Sequence, residues 1–450
     1  MIGLLAFLLP LTLFLGFPST LWNFDGVACA AALELGQPAY FFHANHLIYG
    51  FLGFFFWKWL CAPLGIARAL PALQLFTSFL SAAGLVGLYR FCTTILQDRR
   101  IALGLTLSLA TTAAFWVWSL EAQVYALGFL ALVWATVVLF RLSGPQKYVW
   151  TGTLHGMAIL GHQMHLLWIV PAVFWIRQEP DFQRRNLARY LGTLVAVVLI
   201  PYMLVLAFVI APGRDFFHIL SWLKGSAGLT PDHHWAWHFP GWAGPWIWLK
   251  STAPALWGSF WPYGKASVSM GLWAMTAVSA LITLFLLLRA AREFHERMVV
   301  FALLWLGVYG LFLSTWEPAT LCYRMTDIIP LGILMAIGLK SMKTAVQGVL
   351  IGLLLVATVS VNLATRIGPM RRVEENTLYQ ETLALSKMTS PGSLYITEGG
   401  MSWIYLLYFS GRTAWNKHSW DPRRLNEEIL KQKKSRPVYV QTGSSWEQAQ

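Results

Sequence analysis

Residues 2–25, IGLLAFLLPLTLFLGFPSTLWNFD, place the carboxylate of Asp25 a few residues after an apolar run that is long enough to cross a bilayer. A charged group at a membrane edge is costly and is usually retained for function. The rest of the chain has the same character, because 57% of its residues are hydrophobic and only 12% are charged. Further uncharged runs of about 18 residues or more follow, so the sequence predicts a polytopic α-helical membrane protein.

The basic charge of the chain does not indicate a nucleic-acid partner. The formal net charge is +13, but much of the Lys and Arg lies in short segments between apolar runs. The cysteines lie far apart in or beside apolar segments, without the spacing of a zinc site. They are predicted to be small buried apolar side chains: Cys29, Cys61, Cys92 and Cys322.

Eleven transmembrane helices are predicted, and the first is expected to be a retained span and not a cleaved signal peptide. They lie near 2–21, 70–90, 101–118, 124–141, 148–162, 164–176, 190–211, 268–288, 298–314, 327–341 and 344–363. With a cytoplasmic N-terminus, the inner loops hold about twice as many Lys and Arg as the much longer outer segments. This orientation, in a bacterial inner membrane, makes the C-terminal region extracytoplasmic.

Two domains are expected. A membrane domain covers 1–363, with a first outer loop at 22–69 and an aromatic and histidine-rich outer loop at 212–267. Within the first loop, the aromatic segment 47–62 is predicted to be a juxtamembrane helix in the outer interface. A small extracytoplasmic α/β domain covers 364–450, because the strand-like runs SLYIT and PVYVQT bracket helical stretches there.

Two outer carboxylates are the first candidates for chemistry. Asp25 opens the first outer loop, and Glu121 lies in a very short second one, FWVWSLEAQVYALG. Neither has a basic residue within helical pairing distance on the outer side, so each needs a tertiary partner, water, a metal ion or substrate. Solvation by headgroups and water is the alternative for both.

Histidines and basic residues of the outer face are the next candidates. His43 and His46 are three residues apart and, with Asp25, fit a divalent metal site, a phosphate site or an interfacial cluster. Arg324 can bind a phosphate through a bidentate contact, or can pair with Glu317 or Asp327 instead.

The residues resemble those of the GT-C superfamily of integral-membrane glycosyltransferases, near the protein O-mannosyltransferase and aminoarabinose-transferase branch. The resemblance rests on Asp25 after the first span, on FHANHLIYG, on RALPAL opening the second span and on WSLEAQVYAL. It covers roughly residues 1–180 by motif and the remainder by architecture. It implies an essential acid in the first outer loop and often a second in the next, which correspond to Asp25 and Glu121.

The predicted function is therefore transfer of a hexose or pentose from a polyprenyl-phosphate donor to a hydroxyl of a glycan, lipid or protein on the outer face. Asp25 is the expected general base of an inverting displacement, with Glu121 as the second catalytic acid residue. No nucleotide-binding glycine motif is present, which suits a lipid-linked donor. The residues require no cofactor, and Mg²⁺ or Mn²⁺ stays open with Asp25, His43 and His46 as ligands. The predicted substrate-binding residues are His43, His46, His162, Arg324, Lys58 and Glu317, with Arg324 and Lys58 facing the phosphate.

Two other classes of function remain open at this stage. A secondary transporter or lipid flippase usually carries ionisable residues near mid-span, whereas here they crowd at one face. A non-catalytic scaffold of envelope assembly would tolerate loss of the outer carboxylates.

Overall fold

The computed structural model describes residues 2–36, 41–213, 215–223, 242–258, 269–442 and 445–448. Helices dominate these residues. The first half contains α1 (Ile2–Gly16), α2 (Phe24–Leu35), α3 (Tyr49–Phe55), α4 (Ala69–Leu96), α5 (Arg99–Ala110), α6 (Ala113–Leu120), α7 (Tyr125–Arg141), α8 (Gln146–Gly161), α9 (Ile169–Arg177) and α10 (Arg184–Val205). The second half contains α11 (Phe216–Leu223), α12 (Ala243–Lys250), α13 (Thr252–Trp257), α14 (Met270–Arg292), α15 (Arg297–Thr315), α16 (Ile328–Lys340), α17 (Thr344–Asn362), α18 (Gly368–Met370), α19 (Thr377–Met388), α20 (Ser402–Ser410) and α21 (Pro422–Lys433).

Within the described residues, six helical segments are long and apolar enough to cross a membrane. A seventh span results if α5 and α6, which meet at a bend of 71°, count as one. The eleven predicted spans are thus not confirmed. The physical reason is the length of the helices. The predicted spans 148–162 and 164–176, for example, correspond to α8, a 3₁₀ turn (Gln163–Trp168) and the nine-residue α9, and each of these helices is shorter than a bilayer crossing requires.

The aromatic segment of the first outer loop is helical, as the sequence predicts. α3 continues through a π turn (Phe56–Cys61) and a short 3₁₀ turn (Ala62–Leu64). Trp59 and Leu64 are exposed, which suits contact with lipid headgroups. Half of the predicted histidine-rich loop 212–267 lies outside the described residues.

The site is supported by the best-buried helices of the bundle. α4 packs against α1, α7, α5 and α16, and nearly all of the segment from Leu321 to Leu339, which contains most of α16, is buried. Large aromatic side chains fill the centre, with Trp116, Trp168 and Trp305 fully buried. These rigid helices fix the outer turns that connect them.

The C-terminal region contains a small sheet in the strand order β2-β1-β3-β4. The strands are β1 (Leu394–Thr397), β2 (Thr413–Asn416), β3 (Val438–Thr442) and β4 (Ser445–Gln448). β1 pairs in parallel with β2 and β3, and β3 pairs antiparallel with β4. Both predicted strands are present, while the division into domains at 363 stays a prediction. The cysteines are unpaired, with Cys61, Cys92 and Cys322 buried as predicted and Cys29 half-buried.

Candidate active site

Asn23 joins the two predicted outer loops that carry Asp25 and Glu121. It is the N-cap of α2, and its side-chain oxygen accepts a hydrogen bond from the Gly26 amide at 2.9 Å. Its own backbone amide and its side-chain Nδ2 both donate to Oε2 of Glu121, at 3.3 and 2.8 Å. The start of the helix that carries Asp25 is therefore bonded directly to the turn that carries Glu121.

Gly26 allows this close approach. A Cβ atom at residue 26 would lie 2.8 Å from the carbonyl oxygen of Ala122 and 3.0 Å from its Cβ, which is too close for any other residue without movement. Glycine at this position lets α2 pack directly on the turn after Glu121. The sequence places Asp25 and Glu121 in separate loops, and this contact brings the two loops together.

Glu121 is a buried carboxylate, only 2% exposed. Burial raises its pKa to about 7, against the opposing effects of hydrogen bonds from Ser19 and Asn23 and of the charge of Arg366. Oε1 makes no hydrogen bond of standard geometry in the described part of the chain, so the Ser19 hydroxyl contributes through looser geometry. Near neutral pH this group can hold or release a proton.

Asp25 lies at an exposed position in the first turn of α2. Protein nevertheless surrounds its carboxylate closely enough that desolvation raises its pKa, opposed by a hydrogen bond with Gln123. The Gln123 amide also donates to Oδ1 of Asn23 at 2.6 Å, and its backbone amide donates to the Thr77 hydroxyl at 3.2 Å. Asp25 thus combines access to water with the raised proton affinity that a general base requires.

An aromatic and histidine cluster adjoins Asp25. Tyr125 and Tyr323, whose phenol groups lie within electrostatic range of Asp25, have ring centroids 5.4 Å apart. The His162 ring lies 5.2 Å from Tyr125 and 5.9 Å from Tyr323. His43 and His46 stack at 4.4 Å, and burial together with His43 and His162 holds the pKa of His46 well below its usual value. The three predicted histidines, His43, His46 and His162, therefore lie near one another. His46 is neutral at pH 7.

Buried polar groups inside the helical bundle hold the turn that carries His162. His155 contacts the Tyr190 hydroxyl at 2.7 Å through Nδ1 and the carbonyl of His165 at 2.8 Å through Nε2. Nδ1 of His165 lies 3.1 Å from the Tyr309 hydroxyl. These contacts satisfy polar groups inside the bundle and set the direction of the 3₁₀ turn.

No group of three or more His, Cys, Asp or Glu side chains with metal-binding geometry occurs among the described residues. The predicted set of Asp25, His43 and His46 does not form one. Metal dependence stays a prediction.

Arg324 is directed into the protein. It is 4% exposed and pairs with Asp327, which is one of the two ion pairs left open by the sequence. Its Nη1 donates to the Trp248 carbonyl at 3.0 Å and to the Ser251 hydroxyl at 2.6 Å. Its guanidinium donors are thus occupied by protein groups, and binding of a phosphate by Arg324 stays a prediction.

The two remaining predicted residues lie apart from the carboxylates. Lys58 is exposed with its Nζ 3.9 Å from the Trp57 ring centroid, and Glu317 accepts a hydrogen bond from the Thr320 hydroxyl at 3.1 Å. Neither contacts Asp25 or Glu121 in the described structure.

Sequence reasoning missed Asn23, Gln123 and Arg366. Asn23 had a signal, because an Asn just before an acidic first turn is a strong N-cap. Arg366 also had one, since a basic residue at the predicted outer end of the last span departs from the positive-inside rule. Gln123 had none, because its importance comes from a tertiary contact.

The fold defines the class of the protein as a helical integral membrane protein, with six or seven helical segments long and apolar enough to cross a membrane among the described residues. The chain is similar to ArnT from Cupriavidus metallidurans in the apo state, with a TM-score of 0.66 and 11% identity over 96% of this chain and 90% of that chain. It is also similar to ArnT from the same organism bound to undecaprenyl phosphate, with a TM-score of 0.64 and 11% identity over 97% and 92% of the two chains. This likeness shows that the chain shares its fold with ArnT, a fold in line with the aminoarabinose-transferase-like architecture that the sequence predicts. No family model and no curated protein matches the chain.

Proposed function

We propose that this protein is a membrane glycosyltransferase that moves a sugar from a polyprenyl-phosphate donor to an acceptor hydroxyl on the extracytoplasmic face of a bacterial inner membrane. The observation that carries the proposal is the junction of Asp25 and Glu121 through Asn23 and Gly26. The likeness to a protein that binds undecaprenyl phosphate supports a lipid-linked donor.

In this reaction Asp25 acts as the general base. Its carboxylate takes the proton of the acceptor hydroxyl while the acceptor oxygen bonds to the anomeric carbon and the bond from that carbon to the phosphate oxygen breaks. The lipid phosphate leaves with the electron pair, and the single displacement inverts the anomeric centre. The raised pKa of Asp25 makes it a stronger base than an ordinary carboxylate, and its exposure lets an acceptor reach it.

Glu121 supports this base through Asn23. Its buried oxygen accepts two hydrogen bonds from Asn23, the residue that caps the helix of Asp25. We also assign to Glu121, together with His162, contact with sugar or acceptor hydroxyls, and to His43 and His46 the remaining wall of the sugar site. Tyr125 and Tyr323 offer ring faces on which a sugar can stack.

The departing phosphate needs a cation. Because Arg324 is occupied by Asp327, we assign this role to Arg366, whose charge already acts on Glu121, and to the exposed Lys58. A guanidinium in such a partly dry site stabilises the charge that develops on the leaving group.

Transfer of radiolabelled sugar from a panel of polyprenyl-phosphate sugars by the protein purified in detergent tests the proposal. We expect transfer from at least one donor and inhibition by free undecaprenyl phosphate. If the folded protein transfers no sugar but moves a solute into proteoliposomes, the proposal of a glycosyltransferase is wrong and the protein is a transporter.

A further inference from the structure

The C-terminal helices hold the turn that precedes Asp25. The Tyr405 hydroxyl of α20 donates to the carbonyl of Trp22 at 2.5 Å, and Nδ2 of Asn376, the N-cap of α19, donates to the carbonyl of Thr20 at 2.8 Å. The backbone amide of Thr20 donates in turn to the carbonyl of Met370 at 2.7 Å. Both Tyr405 and Asn376 are at least 95% buried, so water does not compete for these bonds.

Aromatic contacts reinforce the same junction. The Trp22 ring lies 5.2 Å from that of Tyr379 in α19 and 4.7 Å from that of Phe409 in α20. On the other side of Asn23, the Phe24 ring meets that of Trp403 of α20 at 5.9 Å. Residues from the C-terminal helices therefore contact the chain immediately before and immediately after Asn23.

The turn between α1 and α2 depends on these outside groups. It has no regular secondary structure, and three of its carbonyls accept hydrogen bonds from side chains of other elements: Ser19 from Gln74, Thr20 from Asn376 and Trp22 from Tyr405. A backbone segment of this kind takes its geometry from its partners, because its polar groups have no helix or strand to satisfy them.

We propose that Tyr405 is a positioning residue, through which the C-terminal helices α19 and α20 fix Asn23 and thereby align Asp25 and Glu121 for transfer. The inference rests on the proposed function for its catalytic consequence, and it assigns a role to the C-terminal region. Tyr405 does not itself touch the reacting atoms. It acts through the Trp22 carbonyl, one residue before Asn23.

Loss of the Tyr405 hydroxyl should change the pKa of Glu121, which a merely structural contact would not do. The groups that act on Glu121 are Ser19, Asn23 and Arg366, and the charge of Glu121 in turn raises the pKa of Tyr405 in α20. The hydrogen bonds from Asn23 favour the charged form of Glu121. If loss of the Tyr405 hydroxyl loosens residues 22 and 23, those bonds weaken and the pKa of Glu121 rises above about 7.

The test compares Tyr405→Phe with Tyr439→Phe in the full-length protein in detergent. Tyr439 is a matched control, because it is half-buried in β3, with its ring 5.6 Å from that of Tyr395 in the sheet. For Tyr405→Phe we expect kcat to fall about tenfold with KM changed less than about twofold, and the acid limb of the pH–rate profile to move to higher pH. Tyr439→Phe should change neither quantity.

Hydrogen exchange separates this inference from the proposed function. Peptides covering 19–27 should exchange faster in Tyr405→Phe than in the wild type and the control, whether or not a donor has been found. Asn376→Ser is a second variant, since a serine keeps the cap of α19 but loses the donor to Thr20. Unchanged exchange at 19–27 in both variants, or an activity loss without any shift of the pH limb, overturns the inference. Absence of transfer in the wild type contradicts the proposed function instead, and the exchange result then still decides whether Tyr405 holds the turn.

Discussion

Replacing Glu121 with Gln should stabilise the protein at alkaline pH while impairing transfer. Glutamine keeps an oxygen that can accept from Asn23 but cannot carry the buried negative charge. A carboxylate whose pKa is raised by burial stores unfavourable free energy once it ionises, because the unfolded chain can solvate the charge. Glu121→Gln removes this unfavourable free energy of a buried charge, and it also removes the group that holds a proton near neutral pH.

The size of the change in unfolding free energy follows from the pKa shift of Glu121. The pKa of Glu121 is about 7 in the folded protein against an ordinary 4.5. Between these two pH values the folded state binds more protons than the unfolded state, so the free energy of unfolding falls as pH rises. The full difference corresponds to about 3 kcal/mol, present below pH 4.5 and lost above pH 7. The stability of Glu121→Gln relative to wild type should therefore improve by up to about 3 kcal/mol from pH 4.5 to pH 8.

Thermal unfolding in detergent at pH 5 and pH 8 measures this effect. Glu34→Gln is the control, because Glu34 accepts from Arg68, Ala69 and Tyr408 and loses an ion pair when neutralised. That variant should be less stable than the wild type at both pH values. If the stability gap between Glu121→Gln and wild type fails to move in favour of the variant as pH rises, the reasoning from a buried, destabilising carboxylate is wrong.

Three further changes have defined outcomes. Gly26→Ala should push α2 away from Ala122, cost about 1–3 kcal/mol in thermal stability and lower kcat more than it raises KM, whereas Gly192→Ala, with open space around it, should not. Arg324→Ala should destabilise by about 3–5 kcal/mol in thermal unfolding, because it leaves Asp327 buried without its partner, and the double variant with Asp327→Ala should recover part of that loss. Arg366→Ala should raise the inhibition constant of undecaprenyl phosphate about tenfold or more, and an unchanged constant would remove Arg366 from the phosphate site.

The membrane class was readable from the sequence, and the two predicted outer acids could be selected from it, because both depend on local composition. Hydropathy identifies apolar runs, and a lone carboxylate such as Asp25 after a span is conspicuous. The number of spans was not readable in the same way. The predicted spans 148–162 and 164–176 meet where α8 ends at the extended residue His162, but the sequence did not show that α8 and the nine-residue α9 are each shorter than a bilayer crossing requires.

The meeting of the loops depends on tertiary packing. Nothing in the local sequence states that Gly26 faces Ala122, or that Gln123 reaches back to Asn23. The pairing of Arg324 was one of two local possibilities, and burial of Asp327 beside it decided between them. The contacts of Tyr405 with Trp22 join residues nearly the whole chain apart, which periodicity within one element cannot reveal.

The most direct test of the central claim is the transfer rate of purified Asp25→Asn beside wild type, with a donor that the wild type uses and with divalent metal added or chelated. We expect Asp25→Asn to bind undecaprenyl phosphate as the wild type does. Its kcat should fall by about 10²-fold or more, because the amide cannot take the acceptor proton. Near wild-type transfer by Asp25→Asn would contradict the assignment of the base and, with it, the proposed mechanism.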